Sequence, residues 1–285
     1  MTFSRWSPAL AAWIFAIAGS AHAAEPMPWQ IMMQPAATPV MERIISFNNL
    51  LLIIEGVIVL FVLALMVIIF VRFRASRNPV PSKTTHNTTL EVVWTVIPIL
   101  ILVIVAVPSM RLLFYMDKIP TEGAEAEDYP EMTLKITGHQ WYWSYEYPDH
   151  GEFVFDSIII ENDSIKPGQR RLLEVDNRVV LPVNTNVRLL MTSEDVIHNW
   201  AVPAFGVKMD TVPGRINESW IRITKEGTYF GQCSELCGVN HGFMPIAVDA
   251  VSKEKFDAWV EQAKEKFADK DTDSASQIAA NVTPR

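Results

Sequence analysis

The hydrophobic pattern divides the chain into two long apolar runs followed by many short ones. Leu50–Val71 contains a single charged residue, Glu55, and Val92–Met110 contains none. Each run is long enough to cross about 30 Å of hydrocarbon as an α-helix. The pattern predicts a two-helix transmembrane hairpin within residues 24–117, and its helices are expected at about 48–72 and 90–115.

Charged residues between the two helices predict the orientation of the hairpin. The connecting segment contains Arg72, Arg74, Arg77 and Lys83, with no acid before Glu91. Short basic loops stay on the cytoplasmic side of a membrane. We therefore expect both termini, and the region after the hairpin, on the periplasmic side of a bacterial plasma membrane.

Residues 1–23 have the layout of a secretory signal peptide. Arg5 precedes an apolar stretch, and small residues at Ala21 and Ala23 predict cleavage after Ala23. The alternative is a third membrane helix, which is disfavoured because the apolar stretch is too short to span the bilayer. An exported amino terminus agrees with the orientation predicted from the basic loop.

After residue 117 the long apolar runs give way to short ones. Residues 118–131 form an acidic linker, and from Met132 onward short runs rich in Val, Ile, Thr and aromatic residues recur between turn signals. Eight runs are predicted as strands: Met132–Thr137, Gln140–Tyr147, Arg171–Val175, Asn186–Met191, His198–Val202, Trp220–Thr224, Thr228–Gln232 and Pro245–Val251. Such strands predict an all-β sandwich or Greek-key barrel over residues 132–268.

The carboxyl-terminal part of the chain predicts a helix and a tail. Phe256, Trp259 and Val260 lie at helical spacing within Lys253–Phe267. This segment is therefore predicted to pack on the barrel as an amphipathic helix. Residues 269–285 are polar and lack periodicity, so they are expected to be disordered.

Charge is distributed unevenly along the chain. The whole chain has a net charge of −8, whereas the part from residue 118 onward contains 27 acids and 17 bases. An acidic exported region favours a cationic partner and argues against nucleic acid. An acidic surface that serves only solubility would have the same composition, so net charge alone does not identify the partner.

Candidate metal ligands are concentrated between residues 233 and 244. Cys233, Cys237, His241 and Met244 occupy this stretch, and His198 begins a predicted strand upstream. Thiolate, imidazole and thioether ligands together favour copper. Two thiolates can bridge two metal ions while each imidazole caps one of them, so the set predicts a two-copper electron-transfer site.

Other interpretations of these residues remain open. Two cysteines in an exported protein form a disulfide by default, and two cysteines with two histidines can bind zinc. His198 and Met244 can also be ordinary core side chains. The combination of all five residues in strand and turn context favours copper. The chain has no Cys-x-x-Cys-His motif, so no covalently attached haem is predicted.

The aromatic run from Trp141 to Tyr147 is a second distinctive feature. At the strand period of two, Trp141, Trp143, Tyr145 and Tyr147 share one face. The run predicts a buried sandwich face. The alternative is an exposed ring edge that serves as a docking point for a redox partner.

Several segments together resemble the cytochrome c oxidase subunit II family. They are Glu91–Pro98, Val107–Arg111, Gly138–Tyr147, Glu174–Pro182, Ser193–Pro203, Pro213–Arg215 and Cys233–Met244. The resemblance spans about residues 40–265 and is most specific at the cysteine segment. It implies a cupredoxin-like barrel in a membrane-bound oxidoreductase subunit. Such a subunit accepts electrons from cytochrome c and passes them to subunit I, which reduces oxygen to water with proton pumping.

The resemblance also implies roles for individual residues. A dinuclear copper centre would be held by His198, Cys233, Cys237, His241, Met244 and the backbone carbonyl of Glu235. The Glu235 side chain would bind a magnesium ion shared with subunit I, and Trp141 would take up the electron. Four acids would attract the lysines of cytochrome c: Glu146, Glu152, Asp176 and Asp195. Glu91 would lie at the mouth of a proton path in subunit I, whereas its spacing from Thr88 alone predicts a capping box.

Two functions of other classes match parts of the pattern. A membrane-tethered copper chaperone would use Cys-x-x-x-Cys and a distant histidine, but such carriers resemble thioredoxin and the strand pattern contains no convincing βαβ unit. A purely structural subunit of a quinol oxidase would need no copper ligands. The complete ligand set therefore argues against that role.

Overall fold

The computed structural model describes residues 26–120 and 129–267, which form a helical hairpin and a β domain. Helix α1 spans Pro39–Arg72 and helix α2 spans Thr88–Asp117, and each is long and apolar enough to cross a membrane. The predicted signal peptide, most of the acidic linker and the predicted disordered tail lie outside the described residues.

Helix α1 begins earlier than the hydrophobic run suggested. It starts at Pro39 rather than at about residue 48, and the Thr38 side chain caps it by accepting a hydrogen bond from the Met41 N–H at 3.1 Å. A Thr N-cap followed by Pro favours helix initiation, because Pro fixes a helical φ angle where no donor is needed. The first turns of α1 therefore lie outside the apolar run.

The predicted capping box at Thr88 is wrong. The N-cap of α2 is Asn87, whose Oδ1 accepts a hydrogen bond from the Leu90 N–H at 3.2 Å. Glu91 instead donates its backbone N–H to the Asn87 carbonyl at 3.0 Å. Its carboxylate is therefore not needed to close this end of the helix.

The described part of the β domain contains ten strands in two five-stranded sheets. The strands are β1 Glu131–His139, β2 Tyr142–Glu146, β3 Val154–Ser157, β4 Val179–Pro182, β5 Asn186–Ser193, β6 His198–Val202, β7 Val207–Thr211, β8 Asn217–Ile221, β9 Gly227–Cys233 and β10 Pro245–Val251. One sheet has the order β3-β2-β1-β5-β8 and the other β4-β10-β9-β6-β7. The predicted fold class, a membrane hairpin followed by an all-β domain, is confirmed.

The strand prediction fails mainly in the middle of the domain. Arg171–Val175 is not a strand, although Val175 forms an isolated bridge with Ile159. Strands β3, β4 and β7 were not predicted. In β4 all four residues are buried, so the alternation that identifies a half-exposed strand is missing.

The core lies between the two sheets and is rich in aromatic side chains. Trp143, Tyr145 and Tyr147 are fully buried, as predicted for one face of the aromatic run, whereas Trp141 is only partly buried. The predicted helix is present as α3, Lys253–Phe267, and it buries an apolar face against the same core.

The β domain is attached directly to the end of the hairpin. The Thr38 hydroxyl donates to the Phe205 carbonyl at 2.7 Å, and the Ala37 N–H donates to the Ala204 carbonyl at 2.9 Å. The indole N–H of Trp220 donates to the Tyr115 carbonyl, near the end of α2, at 3.0 Å. These bonds fix the start of α1 and the end of α2 against the domain.

Candidate metal centre

Three strand ends bring the predicted ligands together. His198 is the first residue of β6, Cys233 is the last of β9, and Met244 immediately precedes β10. The segment from residue 234 to 244, here called the cysteine loop, connects β9 to β10. It is held at its start by a hydrogen bond from the Ser234 N–H to the Asn199 carbonyl at 3.0 Å.

The two cysteines are free and face each other. Both are buried, and their Sγ atoms lie 3.9 Å apart. A disulfide bond requires about 2.05 Å between the sulfurs, so the thiols are not joined. Among the described residues, His198, Cys233 and Cys237 form a buried group with ligand atoms within 4.8 Å of one another.

Each sulfur lies beside a different histidine. Cys233 Sγ is 3.9 Å from Nδ1 of His198, and Cys237 Sγ is 3.5 Å from Nδ1 of His241. The thioether of Met244 lies 3.5 Å from Cys237 Sγ, and the Glu235 carbonyl oxygen lies 3.4 Å from Cys233 Sγ. The structure thus brings all six predicted copper ligands into one place.

Asp195 holds the ring of His198. Its carboxylate lies 2.8 Å from Nε2 of the fully buried imidazole. Because an ionised carboxylate only accepts hydrogen bonds, Nε2 donates a proton to Asp195, and Nδ1 is the ring nitrogen that faces Cys233. Burial raises the pKa of Asp195, but hydrogen bonds from His198 and backbone N–H groups outweigh burial and lower it overall.

The pKa values of the two thiols are shifted in opposite directions. Burial raises the pKa of Cys233, but hydrogen bonds from His198 and from backbone groups outweigh it and lower the pKa to about 7. Burial and the neighbouring Cys233 raise the pKa of Cys237 to about 12. Cys233 therefore loses its proton at a lower pH than Cys237, and a bound cation would favour thiolates at both positions.

Two tryptophans hold the cysteine loop, one within the loop and one at its end. The Trp143 indole N–H donates to the Met244 carbonyl at 3.2 Å, and the Trp141 indole N–H donates to the Cys237 carbonyl at 3.1 Å. The Gln140 side chain donates to the same Cys237 oxygen at 2.7 Å. The aromatic run therefore supports the ligand loop, a link that its alternating pattern does not reveal.

Two glycines permit this close packing. A Cβ atom at Gly138 would lie 2.8 Å from Cδ2 of His198. Gly238 has a φ of +119°, and a Cβ there would lie 3.0 Å from Cζ2 of Trp141. Side chains at these positions would push the histidine or the indole out of place.

The donor set fits a soft metal. Two sulfurs, a thioether and two imidazole nitrogens surround the site, and the only oxygen among the six predicted ligands is a backbone carbonyl. Thiolate and thioether ligands select copper over hard cations such as magnesium or calcium. The residues of this site therefore fit copper.

The four predicted docking acids have different surroundings. Glu146 forms an ion pair with Lys135 at 2.7 Å, and Asp195 is hydrogen-bonded to His198 at 2.8 Å. Glu152 and Asp176 are exposed. Asp176 also accepts a hydrogen bond from the Ile158 N–H at 2.8 Å. Glu146 and Asp195 are thus each paired with a side chain, and Asp195 is exposed to solvent like Glu152 and Asp176.

Glu235 and Glu91 lie far from each other in the molecule. The exposed Glu235 belongs to the cysteine loop, and Glu91 lies in the first turn of α2, at the end of the hairpin remote from the β domain. Their predicted roles at a magnesium ion and at a proton path stay predictions.

Sequence reasoning missed the positioning residues of the site. Asp195 was assigned to partner docking, and Gln140 received no role. The sequence does show that Asp195 precedes His198 by three residues. Since a carboxylate often holds the second nitrogen of a metal-binding histidine, this spacing could have indicated the role of Asp195. Nothing in the sequence indicates that Gln140 reaches the loop.

Comparisons with known proteins cover almost the whole described chain. A family model described as cytochrome c oxidase subunit II, periplasmic domain, matches residues 132–251, and one described as the transmembrane domain matches residues 26–112. A probable cytochrome c oxidase subunit 2 of Rickettsia bellii is 53% identical over 259 residues, which cover 91% of this chain and 92% of that protein. Cytochrome c oxidase subunit 2 of Arabidopsis thaliana is 45% identical over 253 residues, covering 87% and 94%.

A solved structure is also similar to the β domain. The crystal structure of the periplasmic domain of subunit II of cytochrome oxidase of Bradyrhizobium japonicum has 50% sequence identity. The match covers 53% of this chain and 99% of that one, with a TM-score of 0.46. On the strength of the two family models and the full-length relatives, the chain belongs to the cytochrome c oxidase subunit II family, whose members are copper-carrying subunits of a membrane oxidoreductase.

Proposed function

We propose that this chain accepts electrons from cytochrome c at a dinuclear copper centre and passes them to subunit I of a haem-copper oxidase. Subunit I would reduce oxygen to water and pump protons. The observation that carries the proposal is the pair of free thiols, 3.9 Å apart, each beside a different histidine. Two sulfurs with one imidazole on each side suit two ions better than a single tetrahedral zinc.

The ligand residues each have a defined task in this proposal. Copper would be held by His198, Cys233, the Glu235 carbonyl, Cys237, His241 and Met244, and it would supply a one-electron carrier. The two thiolates neutralise positive charge, and the buried surroundings of His198 and Met244 exclude water. Asp195 fixes the His198 ring, which keeps the site rigid while its charge changes.

Trp141 would connect the surface to the copper site. Its ring is partly buried and lines an open groove of about 530 Å³ together with Glu161, Asp163 and Phe243. Its indole nitrogen is hydrogen-bonded to the Cys237 carbonyl at 3.1 Å. One side chain thus touches both solvent and the ligand loop, as an electron-accepting residue requires.

Surface acids would attract the lysines of cytochrome c. The exposed Glu152 and Asp176 are better placed for this than Glu146, which is paired with Lys135. We expect Glu152→Gln and Asp176→Asn to raise KM for cytochrome c at low salt, and the effect to disappear at high salt. Glu265→Gln, on the exposed side of α3, is the control. A KM that does not depend on these acids at any salt concentration would remove them from the proposal.

The remaining assignments concern the membrane and the partner subunits. The β domain would lie on the periplasmic side of a bacterial plasma membrane, as the basic loop and the predicted signal peptide indicate. The Glu235 side chain would bind magnesium at the boundary with subunit I, and Glu91 would lie at the mouth of a proton path there. This chain would bind no haem.

Metal analysis of the full chain in detergent tests the proposal. After loading with copper, we expect two copper ions per chain and an electron paramagnetic resonance spectrum in which both share one unpaired electron. Cys237→Ser should abolish that spectrum and the transfer of electrons from cytochrome c, because one bridging thiolate is lost. Ser234→Ala, which alters an exposed neighbour in the same loop, should retain both.

Three other results would contradict the proposal. Tightly bound zinc in the isolated protein would favour a structural site. A disulfide between Cys233 and Cys237 in the working protein would leave no bridging thiolates. A single exchangeable cuprous ion would favour the copper-chaperone function.

A further inference from the structure

A groove of about 240 Å³ lies between the two membrane helices, near the end of the hairpin that carries the β domain. It is lined by Arg43, Ser46 and Arg111, together with the apolar side chains of Phe47, Leu50 and Leu112. We call it the hairpin groove. It shares no residue with the candidate copper site.

The position of the hairpin groove along the helices places it at the membrane boundary. Leu50 begins the apolar run of α1, and Arg111 directly follows the apolar run of α2, which ends at Met110. Arg43 precedes Leu50 by seven residues, or about 10 Å along a helix. The apolar part of the groove therefore lies at the edge of the hydrocarbon, and its polar part lies among lipid headgroups.

The hairpin groove is positively charged, which is unusual for the end of the hairpin opposite the basic loop. The basic loop from Arg72 to Lys83 occupies the opposite end, so Arg43 and Arg111 face the other leaflet. None of the described residues that line the groove is acidic. Two guanidinium groups beside an apolar surface are complementary to a phosphate group that carries acyl chains.

Arg43 is held in place within this arrangement. Its guanidinium carbon lies 3.7 Å from the centre of the Tyr115 ring, which is a cation–π contact. The backbone carbonyl of Tyr115 in turn accepts the hydrogen bond from the Trp220 indole. The β domain thus helps to fix one of the two cationic groups.

We propose that the hairpin groove binds the phosphate of an anionic phospholipid from the leaflet on the β-domain side. Arg43, Arg111 and the Ser46 hydroxyl would contact the phosphate, and the acyl chains would lie along Phe47, Leu50 and Leu112. None of the described residues that line the groove carries a carboxylate that could pair with the ammonium group of a zwitterionic lipid, so a lipid with net negative charge fits better. The proposal requires only a membrane-spanning hairpin and is independent of the copper chemistry.

Native mass spectrometry of the full chain in a neutral detergent tests this proposal, with dioleoyl phosphatidylglycerol as the probe. We expect Arg111→Gln to raise the Kd of the tightest-bound lipid roughly tenfold, as expected for loss of charge-assisted hydrogen bonds. Arg111→Lys keeps the charge and should raise the Kd less. If the Gln variant folds poorly, the Lys variant provides the test in its place. Arg77→Gln, which removes a membrane-proximal arginine at the opposite end of the hairpin, should not change the Kd.

Four results would overturn the proposal. Equal loss of affinity in the Arg77 and Arg111 variants would mean that overall charge, not the groove, binds the lipid. Dioleoyl phosphatidylcholine binding as tightly as phosphatidylglycerol would remove the electrostatic argument. Competition by inorganic phosphate at similar concentration would identify an anion site without lipid specificity. Lipid bound to the isolated chain but absent from the assembled oxidase would show that a partner subunit occupies the groove.

Discussion

The β domain and the membrane hairpin bury their apolar residues in different ways. In the β domain, two sheets and α3 enclose a core of fully buried side chains such as Trp143, Phe155 and Leu189. In the hairpin, the most apolar window of each helix has no buried residue. The hairpin therefore does not bury its apolar surface against itself.

Because of this difference, the β domain can keep its structure by itself, whereas the hairpin cannot. The β domain has its own core, so it can hold six candidate ligands in fixed positions before any metal or partner arrives. The hairpin has no core and must be covered by lipid or by other subunits. The candidate copper site is therefore a property of the domain, whereas the position of the hairpin depends on its surroundings.

A matched pair of leucines gives the largest expected difference between the two regions. Leu189 is fully buried in β5, and Leu102 in α2 is 68% exposed. Leu189→Ala should lower the free energy of unfolding of the β domain by about 2–5 kcal/mol, because it leaves a cavity in the core. Leu102→Ala should leave it almost unchanged. Urea unfolding followed by tryptophan fluorescence measures both, and equal losses would show that the two regions unfold as one unit.

Asp195 tests whether the domain alone sets the geometry of the metal site. Asp195→Asn removes the charge that holds His198, and we expect copper affinity to fall by roughly 10- to 100-fold. Glu194→Gln is the control, because this neighbouring acid is exposed and lies beside His139 at 3.5 Å, not beside a ligand. Competition with a copper chelator gives the affinities. If Asp195 serves only in docking, the affinity will stay the same and only the salt dependence of cytochrome c oxidation will change.

Alkaline pH should weaken the β domain through its buried phenols. Burial raises the pKa of both Tyr145 and Tyr147 above the usual value near 10. The unfolded chain therefore ionises first, and stability is complete below about pH 10 and falls as the pH rises, by up to about 1.4 kcal/mol per pH unit for each tyrosine.

Replacement of one phenol should reduce this dependence on pH. Tyr147→Phe loses the hydrogen bond that the hydroxyl donates to the Val180 carbonyl at 2.9 Å and the one that it accepts from the Val180 N–H at 3.2 Å. Each loss costs about 1 kcal/mol at neutral pH. Above pH 10 the variant should lose stability less steeply than the unchanged domain. Urea midpoints of the metal-free protein at several pH values measure both slopes. Identical slopes would mean that Tyr147 ionises as easily in the folded state as in the unfolded chain.

Elements with a strong local pattern were predicted well, and those without one were not. β6 and β10 begin and end at the predicted residues, and α2 lies within two residues of its prediction. β4 was missed because it is buried on both faces and therefore lacks alternation. The early start of α1 was missed because its first turns interrupt the apolar pattern with polar residues such as Glu42, Arg43 and Ser46. The hydrophobic run defines only the part of a helix that lies in hydrocarbon.

Residue type and hydrophobic period are local properties, so the kinds of ligand, the two membrane helices and the two-part organisation can be predicted from the order of the amino acids alone. The folded structure shows which histidine lies beside which cysteine, that Asp195 holds His198 and that Trp141 donates to the Cys237 carbonyl. It also brought Arg43 and Arg111 to one groove. These relations join residues on different strands and helices, and packing of the two sheets and of the hairpin fixes the distances between them.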